Sequence, residues 1–387
     1  MRSNRGRRIL IDGSMARAGG GFTYLVNLVP RLAVLRPGDR FLLWVRNPAI
    51  AASLPPLANL SVLLLPEAGW LERLWFTHLE VPRRVRSGQV DVYFSVSEYA
   101  PARLPCAAIA SFRNPNAFVS MDQGWPWRQR LRLSVLRRLA RRSARCCDRI
   151  LFMSEDAAMW IGDSLQLDRE RRAVVPHGID TELWSRERAA PVRLPGGRPY
   201  VLSVSTIYRY KNFVRLIDAW ARLVRRMPDA PDLVILGGDE DPDYRRQMEQ
   251  ARAATGEFAE RIHVIGEVPY GDVRGWYAGA SLFVFPSYLE TFGHPLLEAM
   301  AMELPVVAAD IPVFREIGDE AVRFADPKDS ESLASAMEEI LRSPRIRADL
   351  AARGRARAQA FSWDRSALAT AALFEAVLEA RTAPRME

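Results

Sequence analysis

Two glutamates eight positions apart, Glu290 and Glu298, form the most chemically suggestive pattern in this sequence. An apolar stretch of strand character precedes them, and Gly293 and Pro295 between them are typical of a turn and a helix start. We therefore expect Glu290 in the loop before a helix and Glu298 one turn inside it. Carboxylates can bind sugar hydroxyls there, while the first N–H groups of the helix bind phosphate. The run predicts a site for a nucleotide sugar, although glutamates at this spacing also occur by chance.

A second group of reactive residues surrounds Lys211, one of two lysines among 54 basic residues. The strand Tyr200–Val204, a polar loop and a helix starting near Lys211 would place this cation and Arg209 at the ligand edge of a parallel sheet. Fixed cations stabilise the charge that a departing nucleoside diphosphate gains, by roughly 3–4 kcal/mol for one well-placed group. A solvated helix start is the alternative, and the rarity of lysine in this chain favours the functional explanation.

Size and composition restrict the class of protein. The 387 residues, 49% of them hydrophobic, suffice for two domains with sizeable cores. No apolar run reaches the ~18 residues of a membrane span, and the first strand is too short for the apolar region of a signal peptide. The three cysteines predict neither a disulfide framework nor a metal site. We expect a cytoplasmic protein without a metal or other cofactor.

Short apolar strands alternate with helix-length segments along the chain, the pattern of α/β domains with parallel sheets. Residues 186–199 are rich in proline, arginine and glycine and indicate a linker. We predict one Rossmann-like domain at residues 1–185, a second at 186–363 and a final helix at 364–387. Ligands of such sheets bind at the carboxyl ends of the strands, here in a cleft between the domains.

The string from Pro286 to Pro305 resembles the donor-site signature of retaining glycosyltransferases with the GT-B fold, especially glycosyltransferase family 4. Lys211 and Asn212 match the family's basic segment closely, although Thr206 stands where many members carry an arginine. The resemblance covers nearly the whole chain. It implies an α/β GT-B fold of two Rossmann-like domains with parallel sheets facing a cleft, and a C-terminal helix that crosses back to the N-terminal domain.

The resemblance also implies residues that hold a nucleotide-diphosphate sugar without a metal. Glu290, Lys211 and Arg209 would act at the reacting groups, with Arg209 supplying the charge that Thr206 lacks. Glu298 would bind the ribose. The other implied donor contacts are Gly20, Gly21, Thr206, Asn212, Val268, Phe292, Gly293, His294 and Leu296.

The N-terminal domain is implied to bind the acceptor, a glycan or a polyprenyl-linked lipid. Many relatives carry a histidine on the loop that follows the strand predicted at Ala107–Ser111, whereas this chain has Arg113 and Asn114 there. We expect Arg113 to contact phosphate and Asn114 a sugar hydroxyl. His177 is a third candidate contact, for which a structural turn is the favoured explanation. No base is assigned, since the leaving phosphate takes the acceptor proton in the same-face mechanism commonly proposed for such enzymes.

Nine arginines lie between Arg128 and Arg149, with leucines interleaved and Trp125 and Trp127 just ahead. A basic amphipathic helix with aromatic neighbours can lie on an anionic membrane, so residues 125–149 are a candidate membrane contact. The alternative is a helix whose leucines pack on the sheet while its arginines face water, and the sequence leaves both open. Nucleic-acid binding is disfavoured because no recognisable module accompanies the charge.

The resemblance implies a bacterial retaining hexosyltransferase, similar to mannosyltransferases, that acts in O-antigen, capsule or exopolysaccharide synthesis, in the cytoplasm or on the inner face of the plasma membrane. One rival is a catalytically impaired scaffold that keeps the fold. Thr206 and the missing histidine favour that rival, whereas the intact run from Glu290 to Glu298 opposes it. A nucleotide-dependent oxidoreductase is disfavoured because the chain lacks GxGxxG.

Overall fold

The computed structural model describes residues 6–16, 19–118 and 127–382, which form thirteen β-strands and fourteen α-helices. The strands are β1 (Arg8–Asp12), β2 (Arg40–Val45), β3 (Leu60–Leu64), β4 (Val92–Ser95), β5 (Ala107–Phe112), β6 (Arg149–Phe152), β7 (Arg172–Val174), β8 (Tyr200–Val204), β9 (Asp232–Leu236), β10 (Ile262–Gly266), β11 (Leu282–Phe285), β12 (Val306–Ala309) and β13 (Arg323–Ala325). The helices are α1 (Gly20–Leu35), α2 (Pro48–Ala52), α3 (Trp70–Trp75), α4 (Val81–Ser87), α5 (Trp127–Cys146), α6 (Glu155–Ser164), α7 (Phe213–Arg226), α8 (Pro242–Ala253), α9 (Tyr270–Gly279), α10 (His294–Ala301), α11 (Pro312–Gly318), α12 (Ser330–Arg342), α13 (Pro344–Ala358) and α14 (Trp363–Thr382).

The chain divides into two compact units, each built on a parallel sheet. Unit 1 comprises Met1–Gly178 and Trp363–Glu387, and unit 2 comprises Ile179–Ser362. The strand order is β3-β2-β1-β4-β5-β6-β7 in unit 1 and β10-β9-β8-β11-β12-β13 in unit 2. The order therefore reverses between β1 and β4 in one unit and between β8 and β11 in the other. In open parallel sheets, ligands bind beyond the carboxyl ends of the strands at such a reversal.

The inner strands are apolar and largely buried, as is typical of parallel sheets with helices on both faces, whereas four of the five residues of the edge strand β3 are exposed. All five residues of β9 are buried. In unit 2, Leu216 and Trp220 of α7 pack in one core with Leu333 and Met337 of α12. These cores hold the strands in register, so the loops that follow them start from fixed points.

The C-terminal helix α14 belongs to unit 1, where it packs on α1 and the sheet. The Asp364 carboxylate lies 3.0 Å from Arg31 Nε on α1. The Phe374 and Phe94 rings are 5.6 Å apart, and the Ser366 hydroxyl donates to the backbone carbonyl of Pro176 at 2.6 Å. The return of this helix to the first unit and the two parallel sheets confirm the predicted fold class. No helix in the described ranges is long and apolar enough to cross a membrane.

Candidate active site

The strand-order reversal of unit 2 brings together the residues of the two most informative sequence patterns. Lys211 lies in the loop after β8, and Glu290 lies in the loop after the neighbouring strand β11. The two residues form a nearly buried ion pair, with Lys211 Nζ 2.5 Å from Glu290 Oε1 and each side chain 10% exposed. The Lys211 ammonium also lies 5.0 Å from the centre of the Tyr210 ring. Each charge needs the other there, because a lone buried charge is costly.

Asn212 ties the two loops together. It adopts the left-handed backbone conformation, with φ 63°, which asparagine tolerates better than most residues. Its side-chain amide donates to the carbonyl groups of Pro286, at 3.1 Å, and Pro327, at 2.8 Å. In addition, the Tyr288 N–H donates to the Tyr210 carbonyl at 3.0 Å. Since its amide bonds to the backbone, Asn212 positions the loops that carry Lys211 and Glu290.

Arg209 forms an ion pair with Asp241, which lies in the loop between β9 and α8. Its Nε donates to Asp241 Oδ2 at 3.0 Å, and the side chain of Asp241 is 7% exposed. Asp241 also caps α8, because its Oδ1 accepts the N–H of Tyr244 at 3.0 Å. The Arg209 charge is therefore fixed beside α8 by a carboxylate with a structural function of its own.

The turn before α10 requires the glycine that the sequence places there. Gly293 has φ +95°, and a Cβ atom on it would lie 2.7 Å from the Phe314 ring. The helix begins at His294, between the Gly293 and Pro295 that predict a turn and a helix start. The ring of Phe292 packs 5.6 Å from that of His294. The Leu296 N–H already donates to the Gly293 carbonyl at 3.0 Å, so one of the amides predicted for the donor is used by the helix itself.

Glu298 is buried one turn into α10, with only 6% of its surface exposed. Tyr277 of α9 donates its hydroxyl to Glu298 Oε2 at 3.0 Å, and the same hydroxyl lies 3.4 Å from the Pro295 carbonyl. Burial raises the pKa of Glu298 to about 7, against the opposing effect of the Tyr277 hydrogen bond. A carboxyl in this state can exchange hydrogen bonds with a ligand hydroxyl at neutral pH.

Two predicted donor contacts lie farther along the same edge of the sheet. Thr206 is exposed in the loop after β8, and Val268 is half-buried in the loop after β10. Between them, Gly237 has φ +151°, and a Cβ atom there would lie 1.8 Å from the Ser205 carbonyl oxygen. Only glycine permits this close approach of two loops. The roles of Thr206 and Val268 stay predictions.

The strand-order reversal of unit 1 gathers a second group of polar residues. Arg113 follows β5, and its Nη2 donates to the carbonyl of Gly20, at the start of α1, at 2.7 Å. Its guanidinium lies 4.3 Å from the centre of the Tyr24 ring. Burial lowers the pKa of Arg113 while Tyr24 and Glu98 oppose this effect. Gly21 is the second residue of α1, and a Cβ atom on it would lie 3.2 Å from the Cβ atom of Ala16.

Glu98, in the loop after β4, is a buried carboxylate that the sequence analysis did not single out. Its Oε1 accepts the backbone N–H groups of Arg113, at 3.1 Å, and Asn114, at 2.6 Å. The pKa of Glu98 is raised because the carboxylate is buried. Hydrogen bonds from backbone amides and the Arg113 charge oppose this rise without cancelling it. Glu98 could have been identified from its position just after β4, a strand at which the order of the unit 1 sheet reverses.

The other two acceptor candidates have mainly structural surroundings. Asn114 is exposed, and its side-chain oxygen accepts the N–H of Asn116 at 2.9 Å, which forms a local turn. His177 is 3% exposed, with its ring 5.0 Å from that of Tyr24 and 5.6 Å from that of Trp363. An aromatic cluster around a buried histidine agrees with the structural explanation for His177.

Comparison with known families identifies both halves of the chain. The model described as "Glycosyltransferase Family 4" matches residues 18–183, and the one described as "Glycosyl transferases group 1" matches residues 185–357. The chain belongs to the group 1 glycosyltransferases of family 4.

Relatives of this glycosyltransferase include two mannosyltransferases. The O-antigen chain mannosyltransferase RfbU of Salmonella typhimurium is 26% identical over 209 residues, which cover 53% of this chain and 54% of RfbU. The phosphatidyl-myo-inositol mannosyltransferase of Mycolicibacterium smegmatis is 27% identical over 310 residues, 77% of this chain and 75% of that protein. The chain thus spans about half of RfbU's own length and three quarters of the second relative's.

A similar solved structure agrees with the GT-B architecture. Sucrose-phosphate synthase of Thermosynechococcus elongatus superposes with a TM-score of 0.72 at 22% identity, covering 97% of this chain and all of that one. At this identity the likeness concerns the fold alone.

The arginine-rich helix α5 of this glycosyltransferase combines features of both sequence explanations. Leu133 and Ala140 are buried, as expected for a helix packed on a sheet. Trp127, Leu131 and Val135, spaced four residues apart, are 69%, 56% and 38% exposed. Exposed arginines flank this apolar stripe at positions 130, 132, 138, 141, 142 and 145. The predicted neighbour Trp125 lies outside the described residues.

Sequence reasoning also missed Tyr277, the hydrogen-bond donor to Glu298. Tyr277 is fully buried and packs 5.5 Å from Trp184 and 5.3 Å from Phe283. In the sequence it is one aromatic residue among many on a helix, and no spacing connects it to a carboxylate 21 positions away. Only the packing of α9 beside α10 shows the contact.

Proposed function

We propose that this protein is a retaining hexosyltransferase that moves a sugar, foremost mannose, from a nucleotide-diphosphate donor to a glycan or lipid-linked acceptor. The setting we propose is the synthesis of a cell-surface polysaccharide such as O-antigen, capsule or exopolysaccharide. The observation that carries the proposal is the buried Lys211–Glu290 pair at the reversal of the unit 2 sheet, with Glu298 one turn into α10. The names of the two mannosyltransferase relatives support the choice of sugar.

In this proposal the donor binds along the loops after β8 and β11. Glu290 accepts hydrogen bonds from sugar hydroxyls, and Lys211 faces the diphosphate together with the backbone at Gly293 and His294. Glu298 binds the ribose. Because Lys211 is held in place before the reaction, it stabilises the charge that develops on the leaving diphosphate without reorganising.

The proposed step retains the configuration of the anomeric carbon. The acceptor oxygen bonds to that carbon on the face from which the diphosphate departs, and the acceptor proton passes to the departing phosphate oxygen. No side-chain base is then required. Lys211 and the α10 turn provide the charge stabilisation that a divalent metal ion supplies elsewhere, so we propose a metal-independent reaction.

Donor screening followed by product analysis tests this function. Binding to the native state alone raises apparent stability, so a thermal-shift screen of GDP-, UDP-, dTDP- and ADP-sugars identifies the donor. Proton NMR of the product then gives the anomeric configuration. We expect retention and an unchanged rate in EDTA. An inverted product would refute the retaining step, and an EDTA-sensitive rate restored by Mg²⁺ would refute metal independence.

The second candidate function is a non-catalytic scaffold that binds a nucleotide sugar. Thr206 in place of an arginine and the absence of a histidine on the loop after β5 favour it. The preformed Lys211–Glu290 pair opposes it, because a scaffold needs no buried charges at a leaving-group position. Donor binding without transfer to any acceptor, and without donor hydrolysis, would favour the scaffold.

We further propose that α5 contacts an anionic membrane surface, where a lipid-linked acceptor would be reached. The exposed stripe of Trp127, Leu131 and Val135 supports this, since flanking arginines can bind lipid phosphates while the stripe enters the interface.

Sedimentation with vesicles of phosphatidylglycerol and phosphatidylcholine tests the membrane contact. We expect the double variant Trp127→Ser/Leu131→Ser to lose most vesicle binding. Leu368→Ser is the matched control, because Leu368 is 55% exposed on α14 in the same unit. Equal vesicle binding by the wild type and the α5 variant would overturn the proposal, as would equal losses in both variants.

A further inference from the structure

Glu98 lies where the unit 1 sheet reverses, together with residues from three different loops. It follows β4, whereas the two amides that it accepts belong to Arg113 and Asn114 after β5. Arg113 in turn bonds to the Gly20 carbonyl at the start of α1. Ligands of open parallel sheets bind at this type of position. The carboxylate is thus at the ligand edge of unit 1.

The two amides of the loop after β5 both donate to Oε1 of this carboxylate. The backbone N–H of Glu98 itself is a third hydrogen-bond partner of the carboxylate. A carboxylate has about four acceptor positions on its two oxygens, so Oε2 retains the capacity to accept a ligand hydroxyl. A glutamine would support the loop equally well, because its carbonyl oxygen accepts the same two bonds. Keeping a carboxylate with 6% exposure adds a desolvation cost that loop support does not require.

The positive charge next to Glu98 also favours a ligand-binding function for this carboxylate. The Arg113 guanidinium, whose Nε and Nη1 atoms are inaccessible to solvent, interacts electrostatically with Glu98. A carboxylate oriented by fixed amides beside a half-buried cation accepts a hydrogen bond in one direction with little reorganisation. A sugar hydroxyl is a ligand of matching chemistry.

Resting on the proposed function, we propose that Glu98 binds and orients an acceptor hydroxyl through Oε2. The carboxylate then determines which hydroxyl is presented for transfer, and it is a binding residue separate from the unit 2 residues that hold the donor.

Glu98→Gln separates binding from loop support, because it keeps the acceptor at Oε1 and replaces Oε2 by an NH₂ group. We measure transfer kinetics with the donor found in the thermal-shift screen and with octyl mannoside, glucoside and galactoside as acceptor probes. For the best probe we expect kcat/KM to fall about 10- to 100-fold, the loss for one hydrogen bond to a charged group. The donor KM should stay unchanged, and the unfolding temperature should not fall, because the neutral glutamine avoids the desolvation cost of the carboxylate.

The pH profile provides a readout that loop support alone would not move. Acceptor kcat/KM of the wild type should fall as the pH is lowered and Glu98 takes up a proton, and this acid limb should vanish in Glu98→Gln. The matched control is Glu67→Gln, which alters a glutamate whose side chain is 81% exposed in the same unit.

Three results would overturn the inference. The first is a Glu98→Gln variant with wild-type kinetics and pH profile. The second is a loss confined to the unfolding temperature, which would assign Glu98 to loop support. The third is the absence of product from wild-type protein with every donor and probe, which would refute the proposed function and this inference with it.

Discussion

Glu298→Gln probes the electrostatics around α10 through stability alone, without any substrate. The wild-type carboxyl is buried and has its pKa raised from 4.5 to about 7, whereas the glutamine is neutral at every pH. Its side-chain oxygen can still accept the Tyr277 hydroxyl, so shape and hydrogen bonding are conserved. The variant therefore isolates the cost of ionising Glu298 inside the folded protein.

The sign and size of the effect follow from linkage. A carboxyl with a raised pKa in the folded state contributes stability that is fully present below pH 4.5 and is lost as the pH rises through about 7. Between these values, at about 1.4 kcal/mol for each unit of pKa, the loss amounts to about 3 kcal/mol. We expect Glu298→Gln to exceed the wild type by up to that amount at pH 8.5 and to match it near pH 4.5.

Differential scanning calorimetry from pH 4.5 to 8.5 measures this gap. For domains of 150–250 residues, about 3 kcal/mol corresponds to a rise in Tm of roughly 6–12 °C. Glu260→Gln is the matched control, since Glu260 is an exposed glutamate of the same unit and should give no pH-dependent gap. A gap that is constant with pH, or a variant less stable than the wild type at pH 8.5, would refute the reasoning.

Other variants test the residues that hold the loops and strands of unit 2 in place. Asn212→Ala removes both amide bonds that tie the loops after β11 and β13, so we expect a loss of about 2–4 kcal/mol in urea unfolding; wild-type stability would exclude the positioning role. Gly293→Ala forces a Cβ atom to within 2.7 Å of Phe314 at positive φ and should cost at least ~1–3 kcal/mol, measured in the same way. Burial acts to raise the pKa of Asp232, but hydrogen bonds from Arg261, Arg198 and His263 outweigh burial and lower the pKa. Asp232→Asn should therefore be destabilised at pH 7, and the difference should shrink as the pH falls below about 4; a difference that persists in acid would contradict this.

Much of the fold could be predicted from the sequence because its signals are local. Each parallel strand is a short apolar run between turn residues, and β8 coincides with the predicted strand Tyr200–Val204. The start of α10 at His294 was also predictable, because Gly293 and Pro295 fix the backbone of the turn.

The partners of the site residues could not be predicted, because they depend on loops from distant segments. Lys211 and Glu290 were each assigned to a ligand, and their contact across 79 positions follows only from the adjacency of β8 and β11. Likewise, Arg209 was assigned to the diphosphate, whereas its bond to Asp241 depends on how the loop after β9 enters α8. Composition and spacing contain no information on which partner each of these side chains contacts.

The proposed function depends most on the Lys211–Glu290 pair. A variant that removes only one residue of the pair changes both activity and stability. We expect Lys211→Ala and Glu290→Ala each to reduce transfer at least ~100-fold through loss of transition-state stabilisation. Each also leaves a buried charge without its partner, which costs about 3–5 kcal/mol of stability. A loss of activity in a single variant therefore has two explanations.

The most direct test is single-turnover transfer by the double variant Lys211→Met/Glu290→Gln, which removes both charges and keeps the side-chain volumes. The account predicts a folded protein with a wild-type circular dichroism spectrum and transfer at least ~100-fold slower than wild type. A folded double variant that transfers sugar at nearly the wild-type rate would contradict it.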